Sequence, residues 1–374
     1  MKIIYLTDQI RLHGGAEKIL IQKLNYWANH YEYDVTLITT DQRLEKPFIK
    51  LDSRINHYDL AVDYTEGVSF FSLENISKVP NHFLKLKRTI DKIKPDAIFV
   101  ISRSYVRFLT PFVARKYLTF NEYHTSYYSS ILHLEKSSLL VKLKFRLTKY
   151  LIDSIEKHYT KIVFLNKEEF DYYNLDNGVI VPNFFDNTVP VNNVKKRNIV
   201  ISLGRLCHQK GYDLLIDAWE VLDAQIDGWE LNIYGNGDDY GALSQKLETK
   251  KLKNPIFLKS AVNNVNEKLS ESALYVMSSR FETFPMVLLE ALSNSLPVVS
   301  FDSPTGARSI LKNGEDSLLA EPNDIIDLAN KILSLLQNQT LRELMGKNGL
   351  GNVMRFNAEE VMKKWDLLIK LNKK

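Results

Sequence analysis

Ser278-Ser-Arg-Phe-Glu-Thr-Phe-Pro-Met-Val-Leu-Leu-Glu290 follows the apolar run Ala273 to Val276 and opens a helical pattern. A strand, a polar turn and a helix in that order are the unit from which parallel α/β sheets are built. Glu282 falls in the turn and Glu290 inside the helix. The helix start between them offers free backbone N–H groups and a positive dipole end, both suited to a phosphate. A carboxylate beside a bound diphosphate is repulsive, so two acids framing such a turn suggest recognition of sugar hydroxyls. The plainer alternative is a capped surface helix whose acids are solvated.

Working outward, strand-like and helical runs alternate along the whole chain, which predicts α/β with parallel sheets. The first half reads as strands 2–7, 34–40, 96–102, 117–122, 161–165 and 178–181. Helices are expected near 15–29, 82–93, 104–116, 137–157 and 167–173, with a less regular stretch over 41–80. Pro182-Asn183 and the polar run from Asn187 to Asn198 read as a linker. The pattern then restarts with strands 198–203, 229–234, 254–258, 273–277 and 297–300. Helices are expected at 211–223, 238–250, 264–271, 286–294, 323–337, 339–353 and 357–371. The expectation is two Rossmann-like, doubly wound domains facing across a cleft. The first would cover 1–185, joined by the C-terminal helix 357–374, and the second 186–356. A chain of 374 residues exceeds one ordinary core and suits this division.

Composition is that of a globular enzyme, with 45% hydrophobic and 25% charged residues. A single cysteine, Cys207, leaves no intramolecular disulfide to form and fits a reducing compartment. Met1-Lys-Ile-Ile-Tyr-Leu-Thr-Asp8 reads as a first strand rather than a signal peptide, and no apolar run is long enough to span a membrane. A cytoplasmic protein is expected. The net charge is +4, but residues 81–150 hold 14 bases against 4 acids. Such a local excess points to an anionic partner.

Three further turns carry glycine after a strand. His13-Gly14-Gly15 lacks the dinucleotide fingerprint, which disfavours a dehydrogenase. Gly204-Arg205-Leu-Cys-His-Gln-Lys210-Gly211 places two cations at a helix start, where they can neutralise a diphosphate. Gly235-Asn-Gly237-Asp238 permits close backbone approach or is simply a tight turn. Asp238-Asp239 reads as a helix start and not a metal site.

Together these pieces resemble the retaining GT-B glycosyltransferases of family 4. The resemblance runs from Gly14-Gly15 through Arg205…Lys210 and Glu282…Glu290 to Pro304-Thr-Gly306 and Asn313-Gly314. It implies that Gly14 and Gly15 face the donor diphosphate and acceptor, and that Arg205 and Lys210 bind the diphosphate. Glu290 would bind the ribose hydroxyls, and Glu282, Thr283, Phe284 and Met286 the donor sugar and its phosphate. Gly235 and the stretch Ser260, Ala261, Val262 would lie by the nucleotide. His124, ending a strand in Phe-Asn-Glu-Tyr-His124, matches the family's reaction-centre histidine. The family's usual glycine after the first acid is Thr283 here, and Pro285 lacks an N–H, which leaves the donor sugar open.

The reaction so implied moves a hexose or N-acetylhexosamine from a UDP-sugar, with retention and with no metal or cofactor. No clear carboxylate nucleophile appears, so same-face attack is favoured over double displacement. The acceptor would be a saccharide or a polyprenyl-diphosphate-linked saccharide. The basic helices 82–94 and 137–157 suggest peripheral attachment to the anionic inner face of the cytoplasmic membrane, or a solvated basic surface. No nucleic-acid module is recognisable. A transferase to a small soluble acceptor and a non-catalytic nucleotide-sugar-binding protein remain alternatives.

Overall fold

The computed structural model describes residues 1–11, 14–65, 67–135, 137–185 and 195–373, without the side chains of His133 and Glu135. His13 and most of the expected linker, 186–194, lie outside the described residues. The chain divides into two compact units, Met1–Pro182 with Met362–Lys374, and Asn183–Val361.

The first domain is built on seven strands: β1 (Lys2–Thr7), β2 (Asp34–Thr39), β3 (Asn56–Asp59), β4 (Ala97–Ile101), β5 (Leu118–Glu122), β6 (Lys161–Phe164) and β7 (Gly178–Ile180). They run in the order β3-β2-β1-β4-β5-β6-β7. Every pairing is parallel, with Ile3 opposite Val35 on one side and Ala97 on the other. The order reverses between β1 and β4, the switch point where open α/β sheets place ligands at the strand ends. All five residues of β4 are buried, because helices cover both faces of its sheet. Helix Gly15–His30 buries Leu20, Leu24 and Trp27 against it, and with them a lysine, Lys23.

The second domain holds β8 (Ile199–Leu203), β9 (Glu230–Tyr234), β10 (Ile256–Lys259), β11 (Leu274–Met277), β12 (Val298–Phe301) and β13 (Ser317–Ala320). Their order is β10-β9-β8-β11-β12-β13, again all parallel. Helices Tyr212–Leu222 and Ile325–Gln337 bury Leu215, Trp219, Leu328 and Ile332 in one cluster with Leu231 and Leu274. Each such aliphatic side chain contributes about 1.5–3 kcal/mol, and truncating Leu231 to Ala costs about 2–5 kcal/mol.

Some elements differ from expectation. The predicted helix 104–116 is a 3-10 turn, Tyr105–Phe108, followed by the single turn Thr110–Val113. Pro111 sits in the first turn of that second piece, because it cannot sit inside a continuous helix. The helix Tyr127–Glu135 and strands β3 and β13 were not foreseen. β3 is an edge strand, Asn-His-Tyr-Asp, with all four residues exposed and hence no apolar alternation to read. The last helix, Ala358–Asn372, is divided: Val361 belongs to the second unit and Met362 onward to the first.

Candidate active site

In the second domain the loops after β8 and β11 are bolted together. Arg280 donates to Asp213 from 2.9 and 2.7 Å and to the His208 carbonyl from 2.6 Å. Gln209 Nε2 donates to the Phe281 carbonyl at 3.0 Å, and Ser278 Oγ to the Lys210 carbonyl at 2.9 Å. Gly211 has φ +62, and a Cβ there would lie 2.1 Å from the Ser278 carbonyl oxygen. Any side chain at that position would push the two loops apart.

Within this frame Lys210 Nζ lies 2.5 Å from Glu282 Oε1, and Ser279 Oγ donates to the same oxygen at 2.8 Å. Thr305 Oγ1 donates to the Glu282 carbonyl. Gly306, at φ +91, lets the 304–306 loop close on it, since a Cβ there would come within 3.0 Å of that carbonyl. Glu282 is therefore held at both backbone and carboxylate. Arg205 is exposed and makes no hydrogen bond or ion pair among the described residues.

The helix Met286–Ser293 follows, with Pro285 at its N-cap and no side-chain cap. Half-buried Met286 begins it, and Glu290 is half-buried within it. Tyr275 reports the neighbourhood of both acids. Its phenol is pushed far above its usual range, first by burial, then by the charges of Tyr212, Glu282 and Glu290. Thr283 is half-buried, whereas Phe284 turns inward and meets Phe356 edge-on at 5.6 Å. Phe284 therefore presents backbone, not its ring, to anything outside.

The glycines separate into two kinds. A Cβ on Gly235 would lie 1.9 Å from the Gly204 carbonyl oxygen, and one on Gly237 would lie 2.2 Å from that of Leu206. Close approach there is to the chain's own backbone. Gly15, by contrast, has nothing within 4 Å, and Gly14 meets only the flexible carboxylate of Glu17. Packing does not require glycine at 14 or 15. Ser260 and Ala261 are exposed and Val262 half-buried, just past β10, with the Ala261 N–H donating to Asn236 Oδ1 at 3.3 Å. Asp239, not Asp238, is the N-cap of helix Tyr240–Glu248.

In the first domain His124 lies just past the end of β5, its side chain 4% exposed, with Nε2 3.4 Å from Glu122 Oε2. Glu122 is 1% exposed and also accepts from Tyr5 Oη at 2.9 Å and from Lys23 Nζ. Burial opposes its charge, but Lys23 and His124 prevail and hold the carboxyl down to about 2. Lys23 itself is caged by rings, its Nζ 4.0 Å from the Trp365 centroid and 5.7 Å from that of Trp27. Lys23 and Glu122 were missed in the sequence. A lysine among Leu20, Leu24 and Trp27 was the available sign, since a lysine is almost never fully buried unless paired.

The two basic helices differ. In Val79–Ile93, Lys85 Nζ donates to the Leu60 carbonyl at 2.7 Å and Lys87 pairs with Asp91 at 2.6 Å, so the helix packs with a solvated basic face. In Leu139–Glu156 one set of apolar residues packs inward, Ile152 and Ile155 among them, and another faces outward, with Leu140 79%, Leu143 62% and Leu147 62% exposed. Among the described residues no helix is long and apolar enough to cross a membrane.

Residues 184–351, nearly the whole second domain, match the family model described as "Glycosyl transferases group 1". With its two parallel-sheet, Rossmann-like domains the chain has the GT-B fold. It is 24% identical to an uncharacterised glycosyltransferase of Haemophilus influenzae over 97% of this chain and 98% of that one. It is likewise 24% identical to the amylovoran biosynthesis glycosyltransferase AmsD of Erwinia amylovora, over 98% of each. A crystal structure of TarM superposes with a TM-score of 0.78 at 15% identity, covering 98% of both chains. A variant of S. aureus TarM in complex with fondaparinux, alpha-GlcNAc-glycerol and UDP gives 0.76 at 15% identity, covering 98% of this chain and 99% of that one.

Proposed function

We propose that the chain is a retaining family 4 glycosyltransferase that moves a hexose or N-acetylhexosamine from a UDP-sugar. The acceptor is a saccharide or lipid-linked saccharide in cell-surface glycan synthesis. The observation that carries this reading is the Lys210–Glu282 pair, 2.5 Å apart beside an uncapped helix start, with Arg205 free among the described residues. Two cations and the amides of Phe284 and Met286 suit a diphosphate leaving group. Glu290 would take the ribose hydroxyls, and Glu282 a hydroxyl of the donor sugar. The UDP in the TarM complex and the glycan pathway in the name AmsD support donor and setting.

As the glycosidic bond breaks, charge grows on the diphosphate. Arg205, Lys210 and the amides of Phe284 and Met286 would stabilise it without a metal. The leaving phosphate oxygen would take the acceptor's proton on the same face. His124, with its ring held by Glu122, would serve the donor sugar. The outward leucines of helix Leu139–Glu156, flanked by Lys142 and Arg146, suit the anionic inner face of the cytoplasmic membrane.

A thermal-shift panel of nucleotide sugars, followed by turnover with the best donor, tests the reading. The expected result is slow donor hydrolysis that is lost in His124→Ala while UDP binding survives. If no nucleotide sugar stabilises the protein or is turned over, the proposal fails.

A further inference from the structure

The first domain contains a cavity of about 500 Å³ at the carboxyl ends of β4 and β5. Ser102 and Arg103, directly after β4, form one side of it. Tyr123 and Thr125, flanking His124, form another. The cavity therefore sits where an open α/β sheet binds ligands, and its wall adjoins the histidine already singled out.

Aromatic rings dominate the lining. Tyr127 stacks on Tyr172 with centroids 3.7 Å apart, and Phe71 lies 5.4 Å from Phe108. Flat rings interspersed with the hydroxyls of Ser130 and Thr148 offer apolar faces and hydrogen bonds side by side, as a sugar ring does. The charge is one-sided. Lys149 is spoken for by Asp153 at 2.8 Å, and Arg107 reaches Glu156 only at 3.9 Å. Arg103 is exposed and has no ion-pair or hydrogen-bond partner among the described residues.

One atom points to a ligand independently of that charge. Ser102 is 4% exposed, yet its buried hydroxyl has no hydrogen-bond partner among the described residues. A buried hydroxyl left unpaired is costly, and native folds rarely keep one without cause. On a cavity wall, the missing partner can come from a bound molecule. The surrounding loop is fixed for the purpose: Asp8 accepts from Ser104 Oγ at 2.6 Å and from the Tyr105 N–H at 3.0 Å.

We infer that this cavity binds the acceptor as a phosphate-bearing saccharide, with the sugar against the rings and Ser102 and the phosphate on Arg103, assisted by Arg107. The inference rests on the transferase reading and adds the acceptor's chemistry to it. The phosphate can belong to a prenyl diphosphate or to a phosphodiester link in a polymer.

Calorimetric titration of the full-length protein tests it, with N-acetylglucosamine, its 1-phosphate, its methyl phosphodiester and its farnesyl diphosphate as probes. UDP titration serves as the control for folding and for the second domain. The phosphorylated sugar is expected to bind at least about tenfold more tightly than the neutral one. Arg103→Ala should remove that advantage, and Ser102→Ala should weaken both sugars. A tighter farnesyl probe assigns the phosphate to a lipid carrier, and a tighter methyl diester assigns it to a polymer. Equal affinity for neutral and phosphorylated sugar, or a full phosphate advantage in Arg103→Ala, overturns the assignment. UDP binding without any sugar binding overturns the cavity alone, whereas loss of UDP binding in the unmodified protein sinks the transferase reading.

Discussion

Lys210 Nζ and Glu282 Oε1 lie 2.5 Å apart, so a cation suited to a diphosphate is already neutralised by a carboxylate suited to a sugar hydroxyl. A bound diphosphate must compete with Glu282 for that ammonium. Lys210→Ala should weaken UDP about 10- to 100-fold, the worth of a charge-assisted contact. Glu282→Gln should tighten UDP several-fold and yet slow sugar transfer. Calorimetry with UDP and a transfer assay on the same variants separate the two effects. If Glu282→Gln weakens UDP, the competition does not exist.

Glu290 makes a sharper claim on the nucleotide. If it holds the ribose hydroxyls, Glu290→Gln should lower affinity for UDP roughly tenfold or more. It should leave 2′,3′-dideoxyuridine diphosphate almost unaffected. Competition binding with the two nucleotides reads this directly, and equal losses for both would move Glu290 off the ribose.

The buried pair in the first domain should behave asymmetrically. Lys23→Met strands the Glu122 carboxylate at 1% exposure and should cost about 3–5 kcal/mol in urea unfolding. Lys23→Met combined with Glu122→Leu should recover much of that loss but not the activity, because His124 then has no anchor. Full activity in the double variant would show that the anchor is dispensable.

Two groups lower stability in acid in separate windows, while Glu156 and Glu169, whose carboxyls burial raises to about 6 and about 7, favour the fold as pH falls. Burial, with a smaller push from Lys85, brings the His82 imidazole down to about 4 while its Nδ1 faces Tyr64 Oη at 2.9 Å. The unfolded chain takes up a proton near pH 6.5 and the folded one does not. This one group should therefore cost up to about 3 kcal/mol as pH drops from 6.5 to 4. Glu122, held down to about 2, adds a second loss below the unfolded carboxylate value of about 4.3. The stability of the unmodified protein relative to His82→Phe should therefore fall as pH drops from 6.5 to 4 and stay level below that, which paired unfolding curves from pH 7 to 3 will show.

Helix Leu139–Glu156 should carry the surface attachment by itself. Leu143→Glu with Leu147→Glu should abolish sedimentation with anionic vesicles, and salt should weaken the binding of the unmodified protein. The same pair of charges placed on helix Val79–Ile93 should have little effect. Equal sedimentation with neutral and anionic vesicles would remove the membrane from the account.

The sequence shows most of the fold, because short apolar runs rich in β-branched and aromatic residues, such as Ala97 to Ile101, read as strands buried on both faces. β3 escapes because an exposed edge strand needs no apolar residues. The candidate site is legible where chemistry is local: Arg205 through Gly211 and Ser278 through Glu290 are each one short continuous stretch of chain. What stays hidden is long-range. Glu122 and Lys23 are 99 positions apart, and neither pattern nor spacing pairs them. Gly235 and Gly237 mislead in the other direction, because a glycine that admits a ligand and one that admits a neighbouring carbonyl look alike until the carbonyl is seen.

Trp365 has a consequence for how the protein is made. It is 2% exposed and closes the ring cage over Lys23, yet the whole of the second unit, Asn183–Val361, separates it in sequence from the rest of the first. Domains generally fold in the order they leave the ribosome. Here Lys23 emerges early, and its buried charge stays uncovered until the second unit has been made. A nascent chain that has not reached Trp365 presents an unfinished core, which delays closure of the first domain until the second has been made.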